Sequence, residues 1–483
     1  MTKSWKKYIL WFAQEHVEFR LAEINSLAKL FKLQLRILSS SNEELLRPFW
    51  TVELPDEESA LKLASRSISL KCILEHWSDS NNFGDFHSSL KTYLKTNELS
   101  QQYFHKDLSF KITVETYNKH FSQKEKVQKI ETFDYLPLKG DVNLKDPSVE
   151  WWYIEYYGLD PTKVPETPDA ILFGRWIADG QRHLIKDLSL KKRKFIGNTS
   201  MDAQLSLLMA NQALVQSGDI VLDPFVGTGS LLVSAAKFGG FVMGSDIDYM
   251  MVHAKCRPSR ITQKTREADE SIRANLKQYG CEKRYLDVLV SDFSNPIWRD
   301  SFKVNSIITD PPYGIREATE KICIKVSDKP DTRNEDSAHY PSTSHYSLQH
   351  LYLDLLTFSA RHLVIGGRLV CWFPFHRDDY NDGMIPQHEC LKLVSNSEQP
   401  LSGITSRRLL TYEKVEEYSE DAERSTKGEI LEFRPRYFDS GLESRQERRT
   451  RRAQLREIGR LEAIKRGKVL DVKDGKYKKV IDE

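Results

Sequence analysis

Hydrophobic and polar positions recur along this chain with two periods, and each change of period marks a new element. Tyr8–Ala13 is an apolar run of strand length. From Glu18 to Phe31 the positions Phe19, Ile24, Leu27 and Leu30 recur at helical spacing and predict an amphipathic helix. Phe49–Leu54 predicts a strand, Asp56–Ser65 a helix with an acidic first turn, and Ser69–Glu75 a further strand. A split β-α-β-β-α-β unit accommodates this order. Ser78–Asp85 is polar, contains a glycine and is expected to be a connector.

A second unit follows. Phe86–Leu94 and Ser122–Phe133 predict helices, the latter with Ser122 and Glu125 at capping-box spacing. Leu108–Val114 alternates as a half-buried strand. Lys139–Pro147 predicts a turn, a short strand and another turn. Val149–Tyr157 is a strongly aromatic strand. Ala170–Ile177 and Gln181–Lys186 predict a hairpin across Ala178-Asp179-Gly180.

The third region alternates strands with helices. Thr199 and Ser200 are expected to cap a helix through Leu205, Leu208, Met209 and Leu214 that Gly218 stops. Asp219–Asp223, Phe241–Asp246 and Leu286–Ser291 predict strands, with helices at Leu231–Lys237 and Glu270–Tyr279 between them. Asn305–Thr309 ends a fourth strand. Ser347–His362 predicts a helix, Gly366–Phe373 a buried strand, and Leu391–Val394 with Arg408–Tyr412 a final antiparallel pair. Strands alternating with helices predict a mainly parallel sheet.

Composition narrows the class. The 483 residues allow about three domains. Forty per cent are hydrophobic and mean hydropathy is −0.52, as for a soluble chain with large cores. A net charge of +2 excludes a global field for nucleic acid, so any basic surface is local. Cys72, Cys256, Cys281, Cys323, Cys371 and Cys390 form no Cys-x-x-Cys pair. That argues for a reducing, cytoplasmic setting and against a zinc site in this chain. His339, His345 and His350 lack metal-ligand spacing, so no metal is expected. No stretch is long enough to span a membrane.

The chemistry is concentrated in two motifs. Asp223-Pro224-Phe225-Val226-Gly227-Thr228-Gly229 lies between a strand and a helix, where glycines let a ligand approach the backbone. The third glycine of a dinucleotide fingerprint is replaced by Leu232. Asp246, ending the next strand, can take a ribose diol. The loop therefore fits an adenosine ligand with no pyrophosphate. Asp292 can accept from an adenine amine, with Phe293 expected to pack on the base. The second motif is Asp310-Pro311-Pro312-Tyr313, leaving the fourth strand at its carboxyl end. Two prolines cannot continue a central strand. Asp310 and the Pro311 carbonyl can accept both N–H bonds of an exocyclic amine, while Tyr313 stacks on the ring. Two acceptors on an aromatic amine favour its pyramidal form and return its lone pair for attack on a methyl group.

Together these features resemble an S-adenosylmethionine-dependent amino-methyltransferase over about Phe195 to Tyr412. The segment from about Phe86 to about Lys186, with Asp141–Pro147 as its signature, resembles a THUMP RNA-binding domain. The unit before it resembles the ferredoxin-like domain that often precedes THUMP. The whole is similar to the catalytic subunit of the eukaryotic tRNA guanine-N2 methyltransferases that act at position 10. The resemblance implies an α/β fold: a class I, Rossmann-like methyltransferase domain behind α+β ferredoxin-like and THUMP domains. The implied boundaries are residues 1–80, 81–187, 188–435 and a basic tail at 436–483. Implied catalytic residues are Asp310, Pro311, Pro312 and Tyr313. Implied cofactor residues are Thr199, Ser200, Asp223, Gly227, Gly229, Asp246 and Asp292, with Thr199 and Ser200 near the methionine end. Implied partners are tRNA and a small zinc-binding activator subunit. A DNA or protein-glutamine amino-methyltransferase, or a non-catalytic RNA-binding relative, remains an alternative.

Three stretches carry weaker signals. Lys191-Lys192-Arg193-Lys194 fits a solvated linker and a phosphate contact equally. Glu317–His345 is long and polar and is expected to be a flap over the target base. In the basic tail, Leu455, Ile458, Leu461 and Ile464 recur every three residues, as on a helix with a narrow apolar stripe. Residues 1–186 are expected to supply the tRNA platform, with a fragment beginning near Leu188 still folding and binding cofactor.

Overall fold

A computed structural model describes residues 5–39, 41–323, 341–419, 427–439, 450, 453, 468–471 and 476–479. Residues 1–431 form one unit, built on two seven-stranded sheets. In chain order the first sheet collects β1 (Lys6–Phe12), α1 (Arg20–Leu30), β2 (Arg36–Ile37), α2 (Asn42–Leu46), β3 (Phe49–Leu54), α3 (Glu57–Ala64) and β4 (Leu70–Ser80). These strands pair antiparallel as β2-β3-β1-β4, the arrangement that the split βαβ pattern predicts. Asp56 caps α3 by accepting from the Ser59 amide at 2.9 Å.

The same sheet continues through the second unit: α4 (Phe83–Thr96), β5 (Phe110–Tyr117), α5 (Gln123–Glu131), β6 (Val149–Tyr156) and β7 (Ala170–Asp179). β7 inserts between β4 and β6, giving β2-β3-β1-β4-β7-β6-β5. The Ser122–Glu125 capping box opens α5 as predicted. Three expectations change. β4 runs on to Ser80, because β7 offers it a partner, so the connector shrinks to the residues before Phe83. The short strand near Val142 reduces to a bridge with Phe110, and the Asn143 side chain holds the turn by accepting from the Lys145 and Asp146 amides, both at 3.1 Å. Gln181–Lys186 forms no hairpin. Both edges of β7 are already paired, and Gly180 and Gln181 donate to the Lys71 and Ser67 carbonyls instead. The chain then forms helix α6 (His183–Asp187) and buries Leu184 and Leu188 in the next core.

The second sheet follows: α7 (Ala203–Gln212), β8 (Ile220–Asp223), α8 (Ser230–Lys237), β9 (Phe241–Asp246), α9 (Tyr249–Val252), α10 (Ile272–Gln278), β10 (Tyr285–Val290) and β11 (Val304–Thr309). A two-stranded pair, β12 (Glu320–Ile322) with β13 (Thr343–His345), precedes α11 (Leu348–His362). Then come β14 (Leu363–His376), β15 (Leu391–Pro400) and β16 (Thr405–Lys414). The order is β10-β9-β8-β11-β14-β16-β15, with the first five strands parallel and β16 pairing antiparallel with both β14 and β15. Asp202, not Thr199 or Ser200, caps α7, accepting from the Gln204 and Leu205 amides at 2.8 and 3.1 Å.

The two sheets share a buried, hydrogen-bonded contact. α1 buries two faces. Ile24 and Leu27 face the first core, and Arg20, Glu23 and Ser26 are buried as well. Glu23 accepts from Ser67 Oγ (2.8 Å), the Ile68 and Ser69 amides (2.7 and 3.0 Å) and Asn211 Nδ2 (2.8 Å). Arg66 forks onto Asn211 Oδ1 at 3.2 and 2.9 Å. Phe19 and Ile68 belong to the hydrophobic core of the second sheet. A fragment starting near Leu188 would open that core, contrary to the expectation that it folds alone.

Residues 432–483 form a separate unit, with α12 (Phe433–Asp439) and the antiparallel pair β17 (Lys468–Asp471) and β18 (Lys476–Lys479). The apolar stripe through Leu455, Ile458, Leu461 and Ile464 lies outside the described residues, as do residues 324–340 of the expected flap. Among the described residues, no helix is long and apolar enough to cross a membrane.

Candidate active site

The site forms where the second sheet reverses its winding. From the central β8 the chain winds outward through β9 to β10 and then returns to β11 on the other side of β8. Open α/β sheets bind ligands beyond the carboxyl ends of the strands flanking such a point. Asp223 ends β8 and Asp246 ends β9, while Asp292 and Asp310 lie just past β10 and β11. The sheet order thus brings together the acids that the sequence separates.

The loop after β8 is shaped by two left-handed glycines, Gly227 (φ +50°) and Gly229 (φ +73°). Gly229 also opens α8, and a Cβ there would lie 2.7 Å from Ile272 Cγ2. The Gly227 amide donates to Asp246 Oδ2 at 2.8 Å, and the Asp248 amide to Oδ1 at 3.0 Å. Burial still pushes the Asp246 carboxyl up to about 6. Ser200 shares a hydrogen bond with Thr228 Oγ1 at 2.6 Å and accepts from the Gly197 amide at 2.8 Å. Thr199 Oγ1 donates to Glu317 Oε1 at 3.1 Å. The segment carrying Thr199 and Ser200 therefore lies against the glycine loop.

Asp223 and Asp292 are placed differently. Asp223 is 1% exposed and accepts from Thr309 Oγ1 at 2.7 Å and the Phe225 amide at 3.1 Å. It ties the end of β8 to the end of β11. Burial pushes its carboxyl up to about 8. Asp292 accepts from the Ser294 amide at 2.8 Å and the Ile322 amide at 2.7 Å, tethering β12. Phe293, expected against adenine, packs instead among Phe225 and Phe358, with ring centroids at 4.7 and 5.3 Å.

Asp310 keeps about a quarter of its side chain exposed (26%), whereas Pro311 is buried. The Tyr313 hydroxyl donates to Asp310 Oδ1, so this ring leans on the acid in the structure rather than standing open for a base. Arg407 Nη1 donates to Asp310 Oδ2 at 3.3 Å and to the Tyr313 hydroxyl at 3.2 Å. Burial pushes the Asp310 carboxyl above the ordinary carboxylate range, and Arg407 opposes that shift. The sequence reading missed Arg407. Its signal was weak: one of two adjacent arginines opening an apolar strand, 97 residues from Asp310.

Other expected residues lie elsewhere. Arg193 is fully buried, donating to Ser230 Oγ and the Leu188 carbonyl at 2.9 Å each, and Lys194 pairs with Asp269. Half of the Lys191–Lys194 run is thus engaged within the protein, which removes Arg193 as a phosphate contact. His345 faces Thr319 at 3.4 Å and His350 bonds Ser347 at 2.5 Å. His339 lies outside the described residues.

Residues 6–182 match the family described as Tmrp11 THUMP N-terminal domain, and residues 191–329 match the RMKL-like methyltransferase domain. A tRNA (guanine(10)-N(2))-methyltransferase TRMT11 of Homo sapiens is 50% identical over 418 residues, 85% of this chain and 89% of that one. The protein of that name from Gallus gallus is 47% identical over 450 residues, 91% of this chain and 96% of the relative. The tRNA (guanine(10)-N(2))-methyltransferase of Saccharomyces cerevisiae is 36% identical over 447 residues, 90% of this chain and 99% of its own. The crystal structure of TrmN from Thermus thermophilus, 16% identical, aligns over 85% of this chain and 100% of its own with a TM-score of 0.40. With a THUMP-bearing first sheet, a seven-stranded methyltransferase sheet and relatives matched along nearly their whole length, the chain belongs to the tRNA (guanine(10)-N(2))-methyltransferase family.

Proposed function

We propose that this chain is the catalytic subunit of a tRNA methyltransferase that modifies the exocyclic N2 of guanosine at position 10. The observation that carries this reading is the acceptor carboxylate Asp310 on the strand next to a glycine loop with an acid at its rim. In this reading residues 1–80 and 81–187 are the ferredoxin-like and THUMP parts of an RNA platform, residues 188–435 carry the chemistry, and 436–483 form a basic tail. S-adenosylmethionine, when bound, supplies an electrophilic methyl group and departs as the neutral thioether with the broken bond's electron pair. The left-handed glycines and the carboxylate of Asp246 fit its adenosine. Gly227 and Gly229 admit it close to the backbone, and Asp246 takes the ribose. Thr199 and Ser200 lie toward the methionine end. Asp223 and Asp292 hold the strand ends and the loop around it in register.

The remaining work is done by the chain. Asp310 and the Pro311 carbonyl accept the two amine hydrogens, and Tyr313 turns from the acid to the base. The amine nitrogen gains one bond to carbon and loses one proton, which ionised Asp310 accepts and passes to water. The proposed partner besides tRNA is a small zinc-binding activator subunit. Support comes from β10, an edge strand of the catalytic sheet with Leu286 and Val290 exposed. The proposed compartment is the cytoplasm, in keeping with six free cysteines. The test is incubation of the full-length chain, with and without the activator, with bulk tRNA and labelled S-adenosylmethionine. N2-methylguanosine at position 10 is the expected product. Label in another nucleoside, or none in either mixture, overturns the reading.

A further inference from the structure

We propose that Arg407 is a positioning residue for methyl transfer. It aims the Asp310 carboxylate and keeps it charged until the target amine takes over the oxygen now capped by the Tyr313 hydroxyl. The inference rests on the proposed function above and adds a residue to its site.

The geometry is built across four strands. Arg407 lies on β16, opposite Pro374 of β14, and β14 separates it from β11, which delivers Asp310. Its guanidinium carbon sits 3.8 Å from the centroid of the Trp372 ring. Its Nε donates to Gln399 Oε1 on β15 at 2.8 Å. Stacked on a ring and anchored at Nε, the group has little freedom left. Nη1 is thereby presented to Asp310 Oδ2 and the Tyr313 hydroxyl together, at 3.3 and 3.2 Å. A lysine could supply the charge but neither the planar stack nor the Nε anchor.

The chemistry explains why an acceptor needs such support. A protonated carboxyl turns one oxygen into a donor and can no longer take up the proton that the amine loses. Two groups beside Asp310 oppose the effect of burial, the Arg407 guanidinium by its charge and the Tyr313 hydroxyl by its hydrogen bond. Asp223 on β8, Cys371 on β14 and Tyr352 on α11 are acids that burial pushes up, so none of them adds positive charge. Arg407 also interacts electrostatically with Asp202 and His16, and burial lowers the His16 imidazole. Arg407 is the cation in hydrogen-bond contact with the acid. The Tyr313 hydroxyl, by contrast, is a neutral donor that an amine hydrogen can replace.

The test measures single-turnover methylation of tRNA against pH with the full-length protein and its activator, for wild type, Arg407→Met and Arg407→Lys. Thermal unfolding and cofactor affinity are measured beside it. Loss of the positive charge should move the acid limb of the Arg407→Met profile up by about one to three units. The rate of that variant should fall on the acid side of the profile and recover as pH rises. Arg407→Lys should keep the acid limb of wild type and stay slower. If Arg407→Met lowers the rate by one factor at every pH, or leaves it unchanged, the assignment is wrong. If that variant fails to fold, Arg407→Lys decides alone: slower with an unshifted limb supports the role, and any other profile overturns it. An active wild type with parallel variant profiles sinks this inference only. A wild type that does not methylate tRNA sinks the proposed function and this inference with it.

Discussion

Asp310 and Asp246 sit in one cleft but face different partners, and single substitutions should separate them. Asp246 is held by two backbone amides at the rim of the glycine loop, whereas Asp310 is bonded, among the described residues, to the side chains of Tyr313 and Arg407. Asp310→Ala is expected to lower turnover by about 10²-fold or more while leaving cofactor affinity nearly intact, since it removes an acceptor used in the transition state. Titration calorimetry together with single-turnover rates checks this; weakened cofactor binding with normal turnover would reverse the assignment. Asp246→Ala should do the opposite and weaken S-adenosylmethionine binding by about 1.5–3 kcal/mol. Unchanged affinity by calorimetry would move the ribose contact to a neighbour such as Asp248. Both acids were legible in the sequence because each stands at the carboxyl end of a predicted strand, Asp310 ahead of two prolines and Asp246 on the strand that follows the glycine loop. Arg407 was not legible. Its role depends on which strand lies beside which, and no local spacing encodes that.

At the scale of elements, buried hydrogen bonds fasten strand ends and helices that periodicity treats as independent. Asp223 joins β8 to β11 through Thr309. Its carboxyl is raised to about 8 by burial, so the folded chain holds that proton more tightly than the unfolded chain does. Stability of the cofactor-free protein should therefore fall as pH rises from about 4, the unfolded value, to about 8. Asp223→Asn still accepts from Thr309 and cannot ionise, so its melting temperature relative to wild type should be higher at pH 8 than at pH 5. Equal offsets at the two pH values would show that Asp223 carries no such cost. Element types were mostly legible. Helical spacing placed α1, and the Ser122–Glu125 box placed the start of α5. The failures share one cause. Gln181–Lys186 was expected to close a hairpin because Asp179-Gly180 looks like a turn, but β7 already had β4 and β6 on its two edges. Likewise, α1 was expected to bury one stripe. Its polar Glu23 and Ser26 are buried too, because a second surface supplies their partners.

That second surface changes how the whole molecule works. A THUMP module on a loose linker would search for tRNA independently of the catalytic sheet. Here the first sheet is one continuous piece from β2 to β5, and α1 locks it to α7 through Glu23, Arg66 and Asn211. Under the proposed function, platform and catalytic cleft would be held at a fixed span, so that tRNA bound at one end would have its nucleotide positioned at the other. Removing residues 1–187 should consequently destroy more than RNA affinity. It strips Phe19, Ile68 and Leu184 from the catalytic core and leaves Asn211 without its partners, so the fragment is expected to aggregate. A cleaner separation keeps the fold and changes the platform surface. Lys106, Lys139 and Lys145 are exposed on neighbouring loops, joined where Phe110 bonds the Asp141 carbonyl and the Ser109 hydroxyl meets Ser148. Replacing all three by alanine should leave the melting temperature and cofactor affinity at their wild-type values. Affinity for tRNA should drop, and the slope of log affinity against log salt should become shallower by about 2 to 3, because up to three phosphate contacts no longer release counterions. Turnover at saturating tRNA should be retained, since the three lysines lie on loops beside the first sheet and the cleft is built on the second. An unchanged salt slope in the triple variant would place the RNA on another face and leave the rigid docking of the two sheets without this purpose.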